Sequence, residues 1–392
     1  MNVTPLALHT PRAVREALRS HGWEETLAGT AAEGIHSSAF HLTGLDQGAL
    51  EALVPFAGSL GLEVLTGDGW AILAGSRSRL SALARPWMVP ESLRQVALGV
   101  GMALPPEPAR IWQTARGSVF LDRPILVGIL NVTPDSFSDG GRYAGLDAAL
   151  AHAEELLGSG AYLLDVGGES TRPGRTEDVP ADEELRRVIP VIEALARNYP
   201  ELIISIDTVK ASVAHAALEA GAAVVNDVSA LRLDPAMAST VASAGAGVIL
   251  MHSRGSVLEL ASYRFAQYAN GDVVGEVLSE LRQSLVVAAE GGIGPDATVV
   301  DPGFGFAKTA EQNLLLFDQL AALQALGRPV LVGPSRKRFL GTVTGEPVED
   351  RDPATALACA LAYERGARLF RIHDVARARD TLALAHALGT GT

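Results

Sequence analysis

"LIISIDTVKASVAHAALEAGAAVVNDVS", residues 202 to 229, decides how the rest of the chain is read. A mostly aliphatic run, "LIISI", ends at Asp207. A helical stretch, "KASVAHAALEAG", follows, and a second aliphatic run ends at Asn226 and Asp227. Strands that are apolar along their whole length are buried on both faces, and a helix is the usual connection between two parallel ones. The unit therefore predicts a parallel sheet covered by helices, with polar side chains gathered where the strands stop.

The same unit repeats from about residue 124. Strand-like runs "ILVGILNV", "YLLDVGG", "LIISIDT", "AVVNDVS", "GVILMHS", "TVVDPG", "PVLVGPS" and "LFRIHDV" alternate with amphipathic stretches such as "DAALAHAEELLGSG", "DEELRRVIPVIEALARN" and "TAEQNLLLFDQLAAL". Eight units predict an α/β chain folded as a (β/α)8 TIM barrel over about residues 118–390. An open doubly wound sheet is the rival, but the "GxGxxG" turn after its first strand is missing. Residues 1–110 read as a small α/β domain, with helical stretches such as "PRAVREALRS" and "PESLRQVALGVGMAL" among short strands "SAFHLTGL", "LEVLTGD" and "WAILAG". The Pro-rich "LPPEPAR" ends it. No catalytic constellation occurs there.

Composition bounds the function. A net charge of −13 over 392 residues, without a basic run, argues against nucleic acid as a partner. No apolar run is long enough to span a membrane and the N-terminus lacks a secretion-signal layout, so a cytoplasmic protein is expected. The single cysteine, Cys359, lies in the apolar "ALACALAY" and is expected in the core. The histidines show no metal-ligand spacing, so zinc is not expected.

The strand ends carry the chemistry, because a barrel builds its site on the loops after its strands. The first gives Asn131 and "TPDSFSDGG", the second "DVGGESTRPG", the third Asp207, the fourth Asn226 and Asp227, and the fifth His252. The sixth gives Asp301 and "PGFGF", the seventh Ser335, Arg336 and Lys337, and the eighth Arg371 and His373. One such residue is as readily a helix cap; eight polar ends on one rim are not. Asp207, Asn226 and Asp301 suit a flat heterocycle presenting several N–H donors. Arg172, Lys337, Arg371 and His373 are cations suited to phosphate or pyrophosphate. Ser335 is expected to begin a short helix and add backbone N–H groups. Asn131 and the loop acids suit Mg²⁺ shared with phosphate oxygens.

"GILNVTPDSFSDGG", "DVGGESTRPG", "SIDTVKASV", "NDVSAL", "DPGFGF", "VGPSRKRFLG" and "FRIHDV", in this order, resemble the dihydropteroate synthase family. The resemblance implies a reaction joining 6-hydroxymethyl-7,8-dihydropterin diphosphate to 4-aminobenzoate with release of pyrophosphate, Mg²⁺ as cofactor, and a homodimer. It gives the pterin to Asp207, Asn226, Asp301 and Lys337, and the diphosphate to Arg371, His373, Asn131 and Arg172, with Asn131 at the metal. It gives the aminobenzoate to Phe137, Thr171, Pro173, Phe306, Ser335 and Arg336. Asp207, Lys337, Arg172 and Asp135 are the catalytic residues so implied. Breaking the C–O bond before the amine attacks needs stabilisation of departing pyrophosphate and of a methylene cation, not a strong general base. The first loop and "ESTRPG" would close over the site and exclude water, the competing nucleophile.

Pro334 and Ser253 depart from residues common in the family, and neither removes a charged group. His252 is read equally as a pterin-pocket or a structural residue, and Asp227 as a brace of the rim. A pterin-dependent methyltransferase would share the Asp–Asn–Asp set but has no need of "SRK", "RIH" or "ESTRPG". An inactive pterin-binding scaffold is disfavoured because Asn131, Arg172, Asp207 and Lys337 are all present.

Overall fold

The computed structural model describes residues 24, 26, 37–104, 109–132, 141–169, 178–260 and 262–390. The chain divides into two units, Met1–Pro106 and Glu107–Thr392.

The first unit holds β1 (Ser37–Thr43), α1 (Gln47–Ser59), β2 (Glu63–Gly67), β3 (Trp70–Ser76), α2 (Arg77–Leu83) and α3 (Arg94–Ala103). Its strands pair antiparallel in the order β1-β3-β2. The Asp46 carboxylate accepts from Ala49 N at 2.7 Å and caps α1. Leu53, Leu73, Leu80, Leu83 and Val100 form its core. The segment "PRAVREALRS" lies outside the described residues.

The second unit opens with a hairpin of β4 (Ile111–Thr114), in the gap between the two expected domains, and β5 (Gly117–Phe120), at the expected start of the barrel. Eight strands follow: β6 (Ile125–Asn131), β7 (Leu163–Gly167), β8 (Ile203–Asp207), β9 (Val224–Asp227), β10 (Gly247–Met251), β11 (Thr298–Asp301), β12 (Leu331–Val332) and β13 (Leu369–Ile372). Neighbours run parallel around the ring, β13 pairs with β6, and a single parallel bridge from Val300 to Val330 joins β11 to β12. Outside lie α4 (Gly141–Gly158), α5 (Ala181–Asn198), α6 (Ala211–Glu219), α7 (Met237–Ser243), α8 (Val273–Glu290), α9 (Ala310–Asp318), α10 (Arg338–Thr344), α11 (Asp352–Glu364) and α12 (Val375–Thr390). The expected (β/α)8 barrel is present. β12 is shortest because Pro329 and Pro334 flank it and cannot donate to a ladder.

Side chains alternate across each strand, and that period of two sorts the interior. Leu164, Val166, Ile204, Ile206, Val248 and Leu250 point outward into the core shared with the helices. Ile125, Leu163, Ile203, Val224, Ile249, Val299, Leu331 and Leu369 point inward and form the bottom layer with Trp112. Trp112 is fully buried and donates from Nε1 to Ala297 O at 3.0 Å, so the hairpin closes the lower end. Two residues further along β7, β8, β9, β11 and β13 the inward side chains are polar (Asp165, Ser205, Asn226, Asp301 and Arg371), and that layer is the floor of the site.

Removing the Trp112 ring leaves a cavity under this layer. Trp112→Ala is expected to cost about 3–5 kcal/mol in urea unfolding of the barrel unit; a loss below 1 kcal/mol would show that the hairpin is not its plug.

Candidate active site

The strand ends surround a cavity of about 670 Å³. Asn131 (β6), Asp207 (β8), Asn226 (β9), Asp301 (β11) and Arg371 and His373 (β13 and the residue just beyond it) line it, with Phe306, Ser335, Arg336 and Lys337 from the loops after β11 and β12. Every site residue expected from the sequence and described by the structure is therefore on one wall or another of a single cavity. Asp135, Phe137, Thr171, Arg172 and Pro173 lie outside the described residues.

Arg371 organises the floor. Its Nη2 donates to Asp207 Oδ2 at 2.7 Å and its Nε to Asp165 Oδ2 at 2.5 Å. Asp165 Oδ2 also accepts from Asn226 Nδ2 at 2.9 Å. The sequence reading grouped Arg371 with cations at the mouth; the structure sets two of its nitrogens among carboxylates instead. It also missed Asp165, which lies mid-strand in "LLDVG". The signal was there: Asp165 shares the inward phase of Leu163 and Gly167, in a strand otherwise wholly apolar on that face.

Burial dominates the charge states. It pushes Asp207 up to about 7, against the pull of Arg371 and with help from Asp165. Asp301 rises to about 6 for the same reason, opposed by the Gly303 N–H, which donates to its Oδ1 at 2.7 Å, and by Lys337 and Lys308. Lys337 is lowered to about 8 by burial and by Arg371, against Asp301 and Asp207. Its Nζ lies 3.9 Å from the centroid of the Phe306 ring. The intervening loop needs glycine: Gly303 has φ +68°, and a Cβ there would meet His252 O at 2.0 Å.

Ser335 does not begin a helix, which corrects the expectation: Lys337 is the cap and α10 starts at Arg338. Ser335 Oγ lies 2.8 Å from His373 Nδ1 and accepts from His373 N at 3.2 Å, joining the last two strand ends. Arg336, with φ +57°, turns its guanidinium onto Asp352 at 2.8 and 2.7 Å, so both of that carboxylate's oxygens hold it.

Asp227 and His252 are both held by protein partners. Asp227 accepts from Ser229 N, Ser229 Oγ and Leu231 N at 2.7–2.8 Å, bracing a loop where Ala230 and Leu231 have positive φ. His252 accepts from Lys308 Nζ at Nδ1 (2.9 Å) and faces Glu280 with Nε2 (3.1 Å). Burial and the nearby Lys308 charge push it down to about 4, so it stays neutral. Lys308, fully buried and not singled out in the sequence, also donates to Gly303 O and Phe306 O at 3.1 Å and so shapes the loop carrying Phe306. Lys210 joins Glu169 (2.5 Å) and Glu184 (2.6 Å), and Glu169 Oε1 accepts from Val179 N at 3.2 Å. This network anchors the described ends of the second loop.

Carboxylates with raised pKa values, an amide and a buried ammonium gather on one barrel floor. The model of the family described as pterin binding enzyme matches residues 127–373. Dihydropteroate synthase of Bacillus subtilis (strain 168) is 43% identical over 256 residues, 65% of this chain and 85% of that protein. A solved dihydropteroate synthase of Xanthomonas albilineans with 4-aminobenzoic acid is 45% identical, with TM-score 0.66, covering 72% of this chain and 98% of that one. The same enzyme in complex with 7,8-dihydropteroate is 44% identical, with TM-score 0.62, covering 69% and 96%. The chain belongs to the pterin-binding enzyme family and, within it, to the dihydropteroate synthases.

Binding a ring N–H favours ionised Asp207, so affinity should rise with pH until about 7; a ring carbonyl favours charged Lys337, so affinity should fall above about 8. Calorimetric titration of an uncharged pterin should give this bell. Asp207→Asn should flatten its acidic limb and Lys337→Met its basic limb. A pH-independent affinity between 5 and 9 would contradict the assignment.

Proposed function

We propose that the chain condenses 6-hydroxymethyl-7,8-dihydropterin diphosphate with 4-aminobenzoate to 7,8-dihydropteroate and pyrophosphate. The observation that supports this reading is the single cavity lined by Asp207, Asn226, Asp301, Lys337, Arg371, His373 and Asn131 together. The C–O bond to the diphosphate breaks, its electron pair leaving with pyrophosphate. The arylamine lone pair then forms the C–N bond, and the amine proton goes to water. Asp207 sits where its charge can balance the cation left on the pterin methylene, and Arg371, His373 and Arg172 answer the charge on the leaving group. Each 1.36 kcal/mol so supplied is worth about tenfold in rate. Asp135 and Arg172 belong to the same proposal, as do Phe137, Thr171 and Pro173 with Phe306, Ser335 and Arg336 around the aminobenzoate. Since Asp352 already holds the Arg336 guanidinium, that residue serves by shaping the pocket edge.

Mg²⁺ is the proposed cofactor. Among the described residues no group of three His, Cys, Asp or Glu gathers, and Asn131 offers one amide oxygen at the rim. That suits a hard cation held mostly by substrate oxygens and water, which would neutralise diphosphate charge when bound. The proposed assembly is a homodimer. Leu357 and Leu361 on α11 and Leu384 and Leu388 on α12 are 43–76% exposed on helices that pack together, an apolar surface suited to a second copy. The proposed compartment is the cytoplasm, consistent with an acidic chain whose only cysteine is buried and free.

With both substrates and Mg²⁺, purified protein should release pyrophosphate and form dihydropteroate in equal amounts, and Asp207→Ala should lower kcat/KM at least about 100-fold. Pyrophosphate release independent of 4-aminobenzoate would point to a hydrolase instead. In sedimentation, Leu357→Asp with Leu361→Asp should convert a dimer to a monomer; a wild-type monomer at micromolar concentration would contradict the assembly.

A further inference from the structure

Asp165 is fully buried, lies mid-strand in β7 and is absent from the cavity wall. Its bonding is lopsided. Oδ2 accepts from both Asn226 Nδ2 and Arg371 Nε, while Oδ1 is buried with no partner among the described residues. Ser205 Oγ, on the residue paired with Asp165 in the neighbouring strand, is likewise buried with no partner among the described residues. A carboxylate kept for stability would satisfy both oxygens, since a buried unsatisfied acceptor is costly. This one concentrates its acceptor capacity on the two side chains that do face the cavity.

The consequence follows from donor and acceptor types. Asp165 Oδ2 accepts from Arg371 Nε, so the Asn226 amide turns its NH₂ group toward the same oxygen. The Asn226 Oδ1 then remains for the cavity, with no protein partner among the described residues. The opposite amide orientation would set two oxygens against each other. Arg371 is treated alike: Nε goes to Asp165 and Nη2 to Asp207, leaving Nη1 without a protein partner among the described residues.

We propose that Asp165 is a positioning residue for the condensation: by holding Asn226 Nδ2 and Arg371 Nε together, it fixes which atoms of both side chains meet substrate. The pocket thereby selects a ring edge that places an N–H donor opposite Asn226. This rests on the pterin reading of the cavity and adds the source of its polarity.

Asp165→Asn tests it. The variant keeps shape but can donate as well as accept, so Asn226 loses its obligate orientation. Binding of 6-hydroxymethylpterin, followed by its fluorescence, should weaken about tenfold or more, as loss of a hydrogen bond to a charged group implies. The KM for 4-aminobenzoate should stay within about twofold, and the far-ultraviolet circular dichroism should be unchanged. Combined with Asn226→Ala, the two losses should fail to multiply, because both act through one amide. If Asp165→Asn does not fold, Arg371→Met compared with Asp165→Asn/Arg371→Met makes the same comparison without an unpaired buried guanidinium. Losses that multiply fully, or unchanged pterin affinity in a folded variant, overturn the proposal. So does a parallel rise in both substrates' constants with a lowered Tm, which marks a structural role. Wild-type protein that binds no pterin overturns the pterin reading and this proposal with it. Wild-type protein that binds pterin as well as the variant does overturns the positioning alone.

Discussion

The Arg371 guanidinium between Asp165 and Asp207 is the interaction on which the site depends. Burying three inward carboxylates in one barrel would be prohibitive without cations among them. Arg371 and Lys337 supply that charge, and burial answers by raising Asp207 and Asp301 and lowering Lys337. A buried ion pair of this kind is weak evidence for stability, because desolvation offsets much of the attraction. Its value lies in geometry: both nitrogens of Arg371 that touch protein are committed, and Asn226 is oriented by the same carboxylate oxygen.

The strand period places this cluster. In β7, β8, β9, β11 and β13 the inward residues run from an aliphatic layer over Trp112 to polar side chains two positions on. Stability is concentrated at the N-terminal end of the barrel and chemistry at the other, so substitutions at the two ends should report different properties. Around the polar layer sit fastenings of the rim loops, two of which, Lys308 and Glu169, also line the cavity. Asp227 holds the loop after β9, Lys308 with His252 and Glu280 holds the loop after β11, and Lys210 with Glu169 and Glu184 holds the ends of the loop after β7.

Much of this was legible in the sequence, for identifiable reasons. Parallel strands covered by helices are apolar throughout, so Asp207, Asn226 and Asp301 stood out at the ends of aliphatic runs. The barrel followed from the repeat itself. What stayed hidden depends on contacts between distant segments. Asp165 lies inside a run rather than at its end. Lys308 reads as a polar residue before a helix, although the fold buries it completely. Ser335 looks like a helix cap, yet the loop extends two residues further and its hydroxyl meets His373, 38 positions away. Trp112 gave no sign that its hairpin would close the barrel, since the buried cluster it joins draws residues from all eight barrel strands.

A crystal structure of the pterin-bound protein is the most direct measurement of the central claim. The account requires the ring to lie between Asp207, Asn226, Asp301 and Lys337, each within hydrogen-bonding distance, with Arg371 still on Asp165. A ring bound elsewhere, or an Arg371 side chain released from Asp165 on binding, would contradict it.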